Sequence, residues 1–122
     1  MKTKTSPLVG RLLIGTGIIH NAFGIIIGWN SLLEGIQAGL VGTWEETAAR
    51  AILFWFLTAG SALIAMGLLT AHIERTSGPL PWAFIIALAV IATTGVITMP
   101  ASGFWLLLAT TTIAAFRRMH SH

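Results

Sequence analysis

Apolar residues gather into four long runs, at about residues 8–29, 51–71, 80–99 and 101–116, with polar or turn-forming residues between them. A bilayer core about 30 Å thick takes about 20 residues of helix, and the first three runs have that length. The fourth is short, which calls for little tilt or for local thinning of the bilayer. Each run is far longer than a strand, and in lipid a backbone must bond to itself, so the runs predict helices. The expected fold is all-α: one domain over residues 1–122, an antiparallel bundle of four transmembrane helices.

The breaks between runs differ. Met99-Pro100-Ala101-Ser102-Gly103 reads as a tight turn that makes runs three and four a hairpin. Ser77-Gly78-Pro79 stops one helix and Pro81 starts the next. The break from Asn30 to Arg50 is long. Within it Leu32, Leu33, Ile36, Leu40 and Val41 alternate with Glu34, Gln37 and glycines, which predicts a short amphipathic helix on the membrane interface. Thr43-Trp44-Glu45-Glu46 has the form of an N-cap followed by acids, so the second spanning helix is expected to begin near Trp44.

Small residues mark the faces where helices meet in lipid. Gly10, Gly17, Gly24 and Gly28 share one stripe of the first run, with Asn21 inside it and His20 on its flank. Leu12, Ile19, Phe23 and Ile26 lie opposite and are expected to face lipid. In the second run Arg50, Phe54, Leu57, Thr58, Ser61 and Ala65 fall on one face. The threonines at 93, 94, 98 and 110–112 are expected to bond carbonyls one turn back.

Composition sharpens this picture. Hydrophobic residues make up 55% of the 122 and charged ones only 9%, where soluble domains carry about 25%. Such a chain cannot keep a folded surface wet on its own. With no Cys, a disulfide framework, a thiolate metal site and a thiol nucleophile are excluded. The net charge of +3 does not point to nucleic acid, because the basic residues never form a patch. They mark topology instead. Lys2, Lys4, Arg11, Arg75, Arg117 and Arg118 fall on one side of a four-span protein and Arg50 alone on the other. That asymmetry places both termini in the cytoplasm and Glu34, Glu45 and Glu46 outside, in a multi-pass protein of the cytoplasmic (inner) membrane. The first run is too long for a signal peptide and contains His20, so it is expected to be retained.

Candidate chemistry is sparse. His20 lies near mid-membrane, where titratable residues are costly and often functional. It serves either as a hydrogen-bonding packing residue with Asn21 or as an acid–base group in an outward-facing pocket. Arg50 serves either that pocket or as a partner of Glu45 or Glu46. A bis-histidine haem is not available within one chain, because His72 lies at the opposite end from His20. A proton path normally needs carboxylates in the membrane, and no acid falls inside any predicted span. His72 and Glu74 read as an ordinary helix end, and His120 and His122 as solvated terminal residues. Gly15-Thr16-Gly17 lacks the rest of a phosphate loop and lies within a span. Neither a metal nor a cofactor is expected.

Three segments carry a resemblance: Gly17-Ile18-Ile19-His20, Arg50-Ala51-Ile52-Leu53-Phe54-Trp55-Phe56 with Gly60, and Met99-Pro100-Ala101-Ser102-Gly103-Phe104-Trp105. Their order resembles a family of small bacterial four-helix integral membrane proteins catalogued as a domain of unknown function. The resemblance covers nearly the whole chain, and its most specific part is Pro-x-Ser-Gly-Phe-Trp. It implies four spans in a compact bundle and assigns no activity and no catalytic residue. By the topology above, His20, Asn21, Arg50, Trp55, Ser102 and Trp105 share the outer half and form the candidate ligand-binding set. The expected role is binding of a small lipophilic molecule or a membrane partner near His20. The alternative is acid–base chemistry by His20 on a lipophilic substrate, as in sterol isomerases, by analogy of fold alone. Beyond the bilayer, a second copy of the chain is an expected partner through Gly24 and Gly28.

Overall fold

The computed structural model describes residues 5–121, so Lys2, Lys4 and His122 lie outside it. Among the described residues there are five helices and no strand: α1 (Leu8–Ile27), α2 (Trp29–Gln37), α3 (Ala48–Thr76), α4 (Trp82–Thr98) and α5 (Phe104–Met119). Helices α1 and α3 are long and apolar enough to cross a bilayer, and α4 is apolar but shorter, with 17 residues.

The predicted interfacial segment is helical, as α2. It ends in a Schellman motif, with Leu40 N–H donating to Gly35 O (3.0 Å) and Gly39 N–H to Ile36 O (3.2 Å). The start of α3 corrects the expectation at Trp44. Residues 43–46 form a turn, and Thr47 is the N-cap, its hydroxyl accepting from Arg50 N–H at 3.2 Å. Thr43 had the right residue type, but its side chain is buried against α2, where its hydroxyl reaches Gly35 O at 3.4 Å. At its other end α3 runs on to Thr76, a turn beyond the predicted span.

Helices α1 and α3 form one antiparallel pair and α4 and α5 another, and the pairs meet along α1 and α5. The α1–α3 seam is set by glycine. A Cβ at Gly17 would meet Gly60 O at 2.6 Å and Ile64 Cγ1 at 2.7 Å, so only hydrogen allows the two backbones this approach. Gly24 lies against Phe56 and Leu57, and Gly28 against Leu53. The stripe that could have faced a second copy is thus covered by this chain's own α3. On α3, Leu53, Gly60, Gly67 and Glu74 recur at intervals of seven and are all buried. Of the face expected from Arg50, Phe54, Leu57, Thr58, Ser61 and Ala65, only Arg50 and Leu57 are half-buried, and the other four residues are exposed. The reason is local: Thr58 and Ser61 donate to carbonyls one turn back, at 2.8 Å each, so neither hydroxyl proton needs a neighbouring helix, and Ser61 Oγ only accepts from α1. Thr98, Thr110, Thr111 and Thr112 do the same, as expected, but the hydroxyls of Thr93 and Thr94 do not.

The buried core sits where Val9 and Leu13 of α1 meet Ile85, Leu88 and Ala92 of α4 and Leu107 and Ala114 of α5. Leu63, Met66 and Ile73 of α3 pack against it. Much of the outer surface is apolar, with Ile26, Ile52 and Ile97 each about two-thirds or more exposed.

Candidate functional site

Two polar clusters lie at opposite ends of the α1–α3 pair. The first is at the end where the described chain begins and finishes. Glu74 is only 2% exposed. Its carboxylate accepts from the backbone N–H groups of Gly10 (2.7 Å) and Val9 (3.2 Å), and Arg117 of α5 donates to it at 3.0 Å. The first N–H groups of a helix have no partner within the helix. Pro7 precedes α1 and offers no side-chain cap, so Glu74 supplies one from another helix. The segment before α1 is strapped down by the same group of residues. Thr5 donates to Glu74 O through its N–H (3.0 Å) and its hydroxyl (3.1 Å), while Arg117 donates to Ser6 O and to Ser6 Oγ, at 3.0 Å each. Glu74 is therefore no ordinary helix end, which corrects the sequence reading. Its carboxylate closes three helices, and its main-chain carbonyl and Arg117 hold the leading segment beside them.

The second cluster lies at the α2–α3 loop. Arg50 Nη1 donates to Thr43 O (3.1 Å) and Glu46 Oε2 (2.9 Å), and Arg50 Nε lies 3.9 Å from Glu34 Oε2. Of the two expected acidic partners Glu46 is used and Glu45 is not. Glu34 of α2 joins the pair, so Arg50 ties α2 and the loop to the start of α3. Trp44 is fixed from two sides. Its Nε1–H donates to Leu40 O at 2.8 Å, and its ring lies on Gly35, where a Cβ would meet it at 2.6 Å. Phe54 and Trp55 pack edge to face, with centroids 5.5 Å apart. Between these rings opens a groove of about 310 Å³, lined by Gly42, Trp44, Glu45, Ala51, Phe54 and Trp55.

The six sequence candidates divide into three places. Trp55 lines the groove and Arg50 braces its rim. His20 and Asn21 lie in the α1–α3 seam. The His20 ring stacks on Phe56 with centroids 3.7 Å apart, and its Nε2–H donates to Phe56 O at 2.9 Å, since a carbonyl can only accept. Asn21 Nδ2 donates to Ser61 Oγ at 3.3 Å, and its buried Oδ1 rests on Gly60 without a hydrogen-bond partner. At about 100° per residue, Ala51, Phe54 and Trp55 point almost opposite to the seam residues Leu53, Gly60 and Gly67. The groove therefore opens on the far side of α3 from His20. Ser102 and Trp105 are at the α4–α5 turn. Ser102 Oγ donates to Met99 O (2.6 Å) and accepts from Phe104 N–H (3.3 Å), and Trp105 Nε1–H donates to Pro100 O (2.8 Å). The Phe104 ring covers Gly95, which leaves no room there for a side chain. These contacts lock the turn and account for Ser102, Phe104 and Trp105, whereas nothing in the structure requires glycine at 103.

Glu74 and the Trp44–Glu45 wall were not among the candidates. Glu74 did carry a signal, as the fourth member of the sevenfold series that begins at Leu53.

These features define an all-helical protein with a glycine-set helix seam, a three-helix carboxylate lock at one end and an aromatic groove at the other. The chain belongs to a family of unknown function (DUF6463), whose family model matches residues 4–121. No curated protein and no solved structure matches it.

Proposed function

We propose that the chain is a four-span protein of the cytoplasmic membrane, with both termini inside, that binds a small lipophilic molecule in the groove of Trp44, Phe54 and Trp55. Support for the membrane setting comes from the apolar surface. Ile26, Ile52, Trp55 and Ile97 are each 67–74% exposed, and such an expanse is far more than a soluble monomer tolerates. Helices α4 and α5, with 17 and 16 residues, have lengths of about 25 Å, which suits two short spans with little tilt. Helix α3, with 29 residues and a length of about 43 Å, reaches past the hydrocarbon at both ends. Its first turns then carry the groove to the outer interface, where indoles are favoured.

The observation that carries the ligand reading is the fixed position of Trp44. Its N–H is spent on Leu40 O and one edge on Gly35, so what remains toward the groove is an immobile apolar face. A pre-set aromatic wall costs little entropy on binding. The groove is at the lower end of the size range of small-molecule sites, so it suits one end of an amphiphile, with the tail along the exposed apolar side of α3.

The test is retention of endogenous lipophilic molecules by protein purified in neutral detergent, read by mass spectrometry. Ala51→Trp fills the groove from its floor and is expected to lose what wild type retains, at unchanged helix content. Equal ligand content in the two proteins would count against the groove as the site.

A further inference from the structure

Resting on that groove reading, we infer that the end of the ligand held there is a quaternary ammonium group, carried on a single-chain amphiphile. Three observations lead to this. First, the walls are aromatic and held at different angles: Trp44 is pinned over Gly35, and Phe54 and Trp55 stand edge to face with an interplanar angle of 83°. Ring faces carry negative potential, and several of them around one space attract an alkylated ammonium ion, which sheds water easily. Second, Glu45 lines the same groove and makes no ion pair among the described residues, whereas Glu34 and Glu46 both turn to Arg50. A carboxylate at the mouth of an aromatic site sets the sign of charge it accepts. Third, residues 29–50 hold three acids and one base, a net charge of −2, so the surrounding field also favours a cation. The Arg50 charge does not reverse this, because its guanidinium is engaged by Glu46 and Thr43 O.

A neutral lipophile leaves Glu45 facing an apolar group. A zwitterionic phospholipid brings its phosphate beside Glu45 and Glu46, where like charges repel. An amphiphile with one tail and one ammonium head satisfies both the rings and the carboxylate.

The experiment titrates protein in dodecylmaltoside micelles with dodecyltrimethylammonium, and in parallel with dodecanol. Binding is read by calorimetry and tryptophan fluorescence as the excess over Ala51→Trp. Saturable binding of the ammonium probe is expected, about tenfold weaker in Glu45→Gln and in Trp55→Leu, and nearly retained in Trp55→Phe. Glu45 is exposed and makes no hydrogen bond through its side chain among the described residues, so its replacement leaves the fold intact, as circular dichroism will show. If dodecanol binds as well as the ammonium probe and Glu45→Gln changes nothing, the cation inference falls while the lipophilic groove stands. If neither probe binds beyond Ala51→Trp, both fall.

Discussion

Replacing Glu74 by Gln removes one charge from the centre of the α1–α3–α5 contact without changing side-chain shape. In wild type the carboxylate holds two backbone N–H groups and one guanidinium. Hydrogen bonds to a charged partner contribute about 1.5–3 kcal/mol each. Breaking a buried ion pair by removing one partner costs about 3–5 kcal/mol. Here the lower end applies, because the Arg117 side chain is 24% exposed and keeps its bonds to Ser6. The amide oxygen of Gln can still accept from Gly10, but its NH₂ then faces both the guanidinium and the Val9 N–H, which share the other oxygen in wild type. The expected loss is about 2 kcal/mol for Glu74→Gln and about 3 kcal/mol for Glu74→Ala. For a chain of this size each kcal/mol lowers Tm by about 4 °C, so the shifts are about 8 and 12 °C. The assay is thermal unfolding in neutral detergent, followed by circular dichroism. A double-mutant cycle with Arg117→Gln should give a coupling of about 1 kcal/mol or more. A Tm for Glu74→Gln within about 2 °C of wild type, with no coupling to Arg117, would refute the lock.

Three further outcomes follow from the same structure and the same assay. Gly17→Ala puts a methyl against the Gly60 carbonyl and should cost about 2 kcal/mol, whereas Gly15→Ala, with nothing within 4 Å, should be neutral or slightly stabilising. Leu40 holds φ at +68°, a strained value for a branched side chain, so Leu40→Gly should raise stability by about 0.5 kcal/mol. His20→Phe keeps the stack on Phe56 and loses one hydrogen bond, for a cost of about 1 kcal/mol, and His20→Ala should cost more because it opens a cavity beside Phe56.

Four of the helices were legible as apolar runs bounded by Gly, Pro or polar residues and α2 as an amphipathic alternation, and the glycines at intervals of seven in α1 do mark its seam. The matching face of α3 was not, because its threonine and serine hydroxyls look like groups in search of a partner helix although both donate within their own helix. The N-cap of α3 was misplaced by one Thr, since Thr43 and Thr47 both precede an apolar run and only the loop's path decides between them. Glu74 was missed for a different reason. What buries it is the bare start of α1, 64 and 65 residues earlier, and Arg117, 43 residues later. No local pattern announces such partners. Of the six candidates, Trp55 lines the groove and Arg50 bonds the loop beside it, but their grouping with His20 followed depth along the helix and ignored direction around it. At about 100° per residue, Phe54 and Trp55 turn away from α1 while Phe56 turns toward His20.

The chain contains no Cys, so single cysteines report cleanly on which side of a membrane each end lies. Glu45→Cys and Ser121→Cys, placed at opposite ends of the molecule, should be probed in intact cells with a membrane-impermeant maleimide. Four spans with both termini inside predict labelling of Glu45→Cys in intact cells and of Ser121→Cys only after permeabilisation. Labelling of Ser121→Cys from outside, or protection of Glu45→Cys until cells are opened, would contradict the topology on which the groove's outward position depends.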